Sequence, residues 1–152
     1  MKKAVFPGSF DPITKGHEAL VIRGLELFDE ITISIGTNSN KNYMFSLAQR
    51  ITFIEQTFKN FPNVKVESYE GLTTEYCKSK GAKFMLRGLR TSADFEFERA
   101  IGQINSEMSP ELETVFLITS AELSAISSSI IRDILKNKGN ADKFLPQNLN
   151  IK

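Results

Sequence analysis

Cysteine, histidine and tryptophan are nearly missing from this chain: one, one and none in 152 residues. A single thiol, Cys77, excludes an internal disulfide framework and a cysteine-rich zinc site. A single imidazole, His17, excludes a metalloprotease, although "HEALV" opens like HExxH. An excess of one charge is also missing. Nineteen Lys and Arg against eighteen Asp and Glu leave a net charge of +1, too little for a surface that coats nucleic acid. Long apolar runs are absent as well. "MKKAVF" begins like a secretion signal, but Pro7 and Gly8 stop it short, and no stretch approaches a membrane-spanning length. The expectation is a cytoplasmic protein with no membrane or nucleic-acid partner. With no repeat, linker or low-complexity tract, residues 1–152 are expected to form one domain.

What the chain does have is alternation. "KAVF" (3–6), "EITISIG" (30–36), "NVKVESY" (63–69), "AKFMLR" (82–87) and "ETVFLIT" (113–119) read as five short strands rich in β-branched and aromatic residues. Helical stripes lie between them. Val21, Gly24, Leu25 and Phe28 form one; Leu47, Ile51, Ile54 and Phe58 form another. Residues 73–80 predict a shorter helix ended by Gly81, with Cys77 at an inert, half-buried position. Residues 93–108 predict a longer one with Phe97, Ala100, Ile101 and Ile104 facing inward, and a last helix starts near Ser127. Strand and helix in strict alternation predict an α/β, Rossmann-like, doubly wound five-stranded parallel sheet with helices on both faces. Ligands then bind outside the carboxyl ends of the strands, so functional residues should follow strands.

"FPGSFDPITKGH" (6–17) leaves the first predicted strand and meets that condition. Gly8 permits a close backbone approach, Gly16 a positive-φ corner before the helix, and Ser9 offers a hydroxyl. His17 falls in the first helical turn, where free N–H groups favour an anion. Taken alone, the stretch also suits a plain connector with a capping histidine. It is not a Walker loop, a GxGxxG turn or a GxSxG elbow. "RGLR" (87–90) is predicted to follow the fourth strand, so that Arg87 and Arg90 emerge on the same rim and can converge on a phosphate. Lys41 lies in the loop after the second strand. Ser127, Ser128 and Ser129 open the last helix with three hydroxyls and no acidic residue close behind, an anion site by its chemistry and a simple cap by default.

The loop "PGSFDPITKGH" closely resembles the signature loop of the phosphopantetheine adenylyltransferases, in the nucleotidyltransferase superfamily whose motif is HxGH or TxGH; here it reads Thr14-Lys15-Gly16-His17. "NKNYMFSLAQR" (40–50), "LRGLRTSADFEFE" (86–98) and "AISSSIIRDI" (125–134) match in order and spacing, so the resemblance runs nearly end to end. It implies transfer of AMP from ATP to 4′-phosphopantetheine, giving dephospho-coenzyme A and pyrophosphate, with Mg²⁺ arriving on ATP and a homohexamer as the assembly. It also implies roles. Ser9 and Lys41 would hold the attacking phosphate, His17 would donate to the α-phosphate, and Arg90 and the serine cluster would hold the leaving phosphates. Thr73 and Arg87 would line the phosphopantetheine site, Thr73 being equally suited to cap a helix. Phe10, Gly88, Leu89, Glu98 and the run Leu123, Ser124, Ala125, Ile126 into Ser127 would enclose ATP. Two departures stand out: Asn42-Tyr43 where the family often has a lysine and a proline, and Leu123 where some members have an aromatic residue. Other readings are a cytidylyltransferase, a nicotinate-nucleotide adenylyltransferase, or a nucleotide-binding regulator without turnover.

Overall fold

A computed structural model describes residues 1–37 and 41–151. Five strands, β1 (Lys3–Gly8), β2 (Glu30–Gly36), β3 (Val64–Tyr69), β4 (Phe84–Leu89) and β5 (Glu113–Ile118), form one parallel sheet in the order β3-β2-β1-β4-β5. Five helices alternate with them: α1 (Lys15–Gly24), α2 (Leu47–Thr57), α3 (Thr73–Ser79), α4 (Ser92–Met108) and α5 (Ser128–Lys136).

Strand register decides which residues share a face. Ala4 is level with Ile31, Phe6 with Ile33, and Ile33 with Val66. These residues, with Leu86, pack in one core against Leu20 and Val21 of α1, Ile54 of α2 and Ile131 of α5. The opposite face carries a smaller cluster, in which Val5, Met85 and Leu112 meet Cys77 of α3. That face is also more polar. Ser34, fully buried, donates to the Tyr76 hydroxyl at 3.0 Å, and Asn105 of α4 reaches Met85 Sδ at 3.9 Å.

Three expectations change. First, β1 runs through Gly8 and β4 through Leu89, so Arg87 sits inside a strand; the register Arg87↔Phe116 to Leu89↔Ile118 keeps β4 paired with β5 that far. Second, Gly16 is not a positive-φ corner. It is the second residue of α1, and the left-handed backbone falls on Phe10, at φ 48°. Third, α4 turns its apolar stripe outward: Phe97 is 68% exposed and Ile104 60%, with Ala100 and Ile101 also exposed.

Candidate active site

Pairing between β1 and β4 is short. It covers Ala4↔Phe84 and Val5↔Met85 and goes no further, so the two central strands part company toward their carboxyl ends. This is the point where strand order reverses, the preferred ligand position in such sheets. Arg87 fills the split. Its Nη1 donates to the Pro7 carbonyl at 2.6 Å, and its Nε and Nη2 donate to Glu98 at 2.9 and 2.5 Å. A bidentate pair of this kind fixes the guanidinium plane.

Two cavities open above the split and share Pro7, Gly8, Ser9 and Arg87 as their common wall. The first, about 790 Å³, lies on the α3/α4 side; Lys41, Tyr43, Tyr69, Thr73, Glu98 and Asn105 are among its walls. The second, about 330 Å³, lies on the α1/α5 side; Phe10, His17, Gly88, Arg90 and Leu123 line it, with Ile126, Ser127, Ser128, Ser129 and Arg132. A cleft with two lobes and one partition can present two substrates to each other.

His17 is held by its own helix. Thr14 caps α1, its Oγ1 accepting from Gly16 N at 3.1 Å and His17 N at 3.3 Å. In return His17 Nδ1 accepts the Thr14 N–H at 3.1 Å, closing a capping box in which histidine stands where Glu or Gln is usual. Two of the first-turn N–H groups expected to face an anion, those of Gly16 and His17, are therefore taken by the cap. With Nδ1 accepting, the neutral imidazole carries its proton on Nε2, the far side from the helix backbone. Burial, then the charges of Arg87 and Arg90, hold the His17 pKa down to about 4. At neutral pH it is an uncharged Nε2–H donor packed edge-on to Phe10, ring centroids 5.0 Å apart.

Phe10 explains Gly8. A Cβ at residue 8 would come within 2.9 Å of the Phe10 ring. The ring, 4% exposed, also packs against Phe6 at 5.2 Å. The close approach expected at Gly8 is thus made by the loop's own aromatic side chain.

The serine cluster is partnered rather than free. Ser127 caps α5 by accepting from Ile130 N at 3.2 Å, Ser128 donates to the Pro12 carbonyl at 2.8 Å, and Ser129 accepts from Arg132 at 3.1 Å. Its anion-binding capacity rests on the helix-start N–H groups and on Arg132, whose Nη1 also donates to the Asp11 carbonyl at 2.8 Å. Arg132 stands in the "AISSSIIRDI" match but was missed as a site residue; its place three residues after Ser129 is the signal that it can reach back. Thr73 is not a cap. Leu72 occupies that position without a side-chain bond, and the Thr73 hydroxyl meets the Tyr69 hydroxyl at 2.7 Å. Glu98 faces the first cavity, through its pair with Arg87, and not the second. Leu89, Ser124 and Ala125 flank the second cavity in sequence but are not among its lining residues; Ser124 bonds the Ala121 carbonyl at 2.8 Å. Asn40, the first residue of the "NKNYMFSLAQR" match, lies outside the described residues. Among the described residues no cluster of three His, Cys, Asp or Glu could hold a metal ion, and no helix is long and apolar enough to cross a membrane.

Comparison with known proteins agrees with this architecture. The cytidylyltransferase-like family model matches residues 5–134. Phosphopantetheine adenylyltransferase of Flavobacterium johnsoniae is 55% identical over all of this chain and 99% of its own length. That of Flavobacterium psychrophilum is 54% identical over the whole of both chains, and that of Alkaliphilus metalliredigens 42% over 97% of this chain and 94% of its own. Among solved structures, a bifunctional NMN adenylyltransferase/ADP ribose pyrophosphatase from Francisella tularensis superposes with a TM-score of 0.75 over 97% of this chain, at 18% identity. This chain spans about 45% of that one, and the likeness is one of fold. With its sheet split, paired cavities and near full-length identity to these relatives, the chain belongs to the phosphopantetheine adenylyltransferase family of cytidylyltransferase-like proteins.

Proposed function

We propose that the two cavities are the two substrate sites of one adenylyl transfer: 4′-phosphopantetheine in the first, ATP in the second, and reaction across the wall they share. The carrying observation is that Ser9 and Arg87 line both cavities while His17 and Arg90 line the second and Lys41 the first. The acceptor phosphate attacks the α-phosphorus of ATP; an O–P bond forms as the bond to pyrophosphate breaks, giving dephospho-coenzyme A. Nucleophile and electrophile are both anionic, so the protein's work is positioning and charge compensation.

In this reading Lys41 and the Ser9 hydroxyl hold the acceptor phosphate. Neutral His17 donates its Nε2–H to an α-phosphate oxygen as charge grows there. Arg90, Arg132 and the start of α5 hold the departing phosphates. Arg87, anchored to Pro7 and Glu98, fixes the partition between the substrates. Mg²⁺ enters as the counter-ion of ATP, since nothing among the described residues forms a carboxylate cage for it. A homo-oligomer, a hexamer by resemblance, is part of the same proposal; the uncovered apolar stripe of α4 is a surface that a second copy would cover.

The test is pyrophosphate release from ATP with a panel of acceptors. 4′-Phosphopantetheine should support turnover, while choline phosphate, glycerol 3-phosphate and nicotinate mononucleotide should not. Preference for any of the latter would overturn the assignment.

A further inference from the structure

We propose that Arg50 is the positioning residue that sets Lys41 against Ser9, and that the Tyr43 ring clamps it in place. The inference rests on the assignment of the first cavity to the acceptor substrate.

Arg50 lies on α2, away from both cavity walls, yet it is only 4% exposed. Among the described residues no carboxylate comes within ion-pair distance of it. A buried guanidinium without a counter-ion is costly unless its donors are spent on something specific. Here they are spent on two backbone segments. Nε donates to the Phe45 carbonyl at 3.1 Å, and Nη1 donates to the Ser9 carbonyl at 2.9 Å. One side chain thereby ties the segment that follows Lys41 to the residue that partitions the two cavities. Asp11, 3% exposed, makes the reciprocal tie: its two oxygens accept from Met44 N at 2.8 Å and Phe45 N at 2.9 Å.

Tyr43 closes the arrangement. Its ring lies over the Arg50 guanidinium, with the central carbon 4.0 Å from the ring centroid, and the same residue lines the first cavity. A stacked aromatic face stabilises a desolvated guanidinium and restricts its plane, which a lysine ammonium cannot reproduce. Without the ring, the fork is free to tilt, and the 41–46 segment loses its fixed height above Ser9. The defect should be felt by the substrate whose phosphate Lys41 and Ser9 share, and not by ATP.

The experiment is steady-state kinetics on the full chain with both substrates varied, for Tyr43→Leu, Tyr43→Phe and Arg50→Lys, beside thermal unfolding of each. Tyr43→Leu should raise the KM for 4′-phosphopantetheine about fivefold, the size of a cation–π contact of about 1 kcal/mol, with the KM for ATP and the melting temperature little changed. Tyr43→Phe, which keeps the ring, should restore the wild-type KM. Arg50→Lys should raise the same KM by more than Tyr43→Leu does. An acceptor KM within twofold of wild type for Tyr43→Leu would overturn the proposal, as would an equal rise for ATP or a Tyr43→Phe variant as impaired as Tyr43→Leu. Failure of the wild-type chain to use 4′-phosphopantetheine at all would instead overturn the assignment of function.

Discussion

His17 does two jobs with one ring, and the two can be separated by measurement. As the capping-box partner of Thr14 it stabilises α1; as an Nε2–H donor it faces the smaller cavity. His17→Ala should lower turnover about a hundredfold or more and cost about 0.5–1 kcal/mol of stability through the cap; near-normal steady-state rates would refute the donor role. The titration has a definite sign. The folded ring has its pKa near 4, against an ordinary 6.5 in the unfolded chain. Between those values the unfolded state binds the extra proton, so the contribution of His17 is complete above about pH 6.5 and is lost as pH falls toward 4, with a slope of up to about 1.4 kcal/mol per pH unit. Between pH 7 and pH 5 that loss is about 2 kcal/mol, larger than the cap contribution, so denaturant unfolding should show wild type more stable than His17→Ala at pH 7 and less stable at pH 5; a constant gap would contradict it. The chain has a single histidine, so its proton NMR signal needs no assignment, and in the free protein it should not move between pH 8 and pH 5.5. At Gly8 the outcome is steric. Gly8→Ala would drive a methyl to 2.9 Å from the Phe10 ring, itself packed on His17. About 1–3 kcal/mol of destabilisation and a fall in turnover are expected, read by thermal unfolding and rate together.

Among the secondary elements, the strands and most helices were readable because apolar period and β-branching carry them locally. Gly81, at φ +66°, ends α3 where its position announced it. The reading failed where the answer depends on a partner distant in sequence. The α4 stripe at Phe97, Ile101 and Ile104 is a true helical stripe, but periodicity says only that one face is apolar, not that the same chain covers it. The serine cluster was legible as a helix start, while its bonds to Pro12 and Arg132 were not, because one of them crosses 116 residues of sequence. Nothing local marks Arg50 in the sequence for the same reason: its two carbonyl partners come from different loops. The cap at α5 gives its own prediction. Ser127→Ala should lower the unfolding free energy by about 1 kcal/mol and raise the KM for ATP more than that for the acceptor, as read from kinetics with each substrate varied in turn.

Taken as a whole, the molecule exposes an apolar helix face rather than hiding it. Phe97→Asp places a charge on that face, on a side chain that is 68% exposed and so contributes little to the fold of one copy. Light scattering should show the variant at lower mass than wild type, with an unchanged far-ultraviolet circular dichroism spectrum. An unchanged mass would remove the face from any assembly. Fold class followed from alternation alone, but the site did not: the early end of pairing between β1 and β4 has no local sequence signature, and that divergence makes room for the cleft.

The partition at Ser9 and Arg87 has a consequence for the far end of the reaction. In the proposed reaction each substrate would grip one chamber, whereas dephospho-coenzyme A, formed as pyrophosphate leaves the second, would reach into both. Its second grip comes at a very high local concentration, so it should be held far more tightly than either half. The step that empties the cleft, and not the bond exchange within it, is then the natural place for the rate to be set.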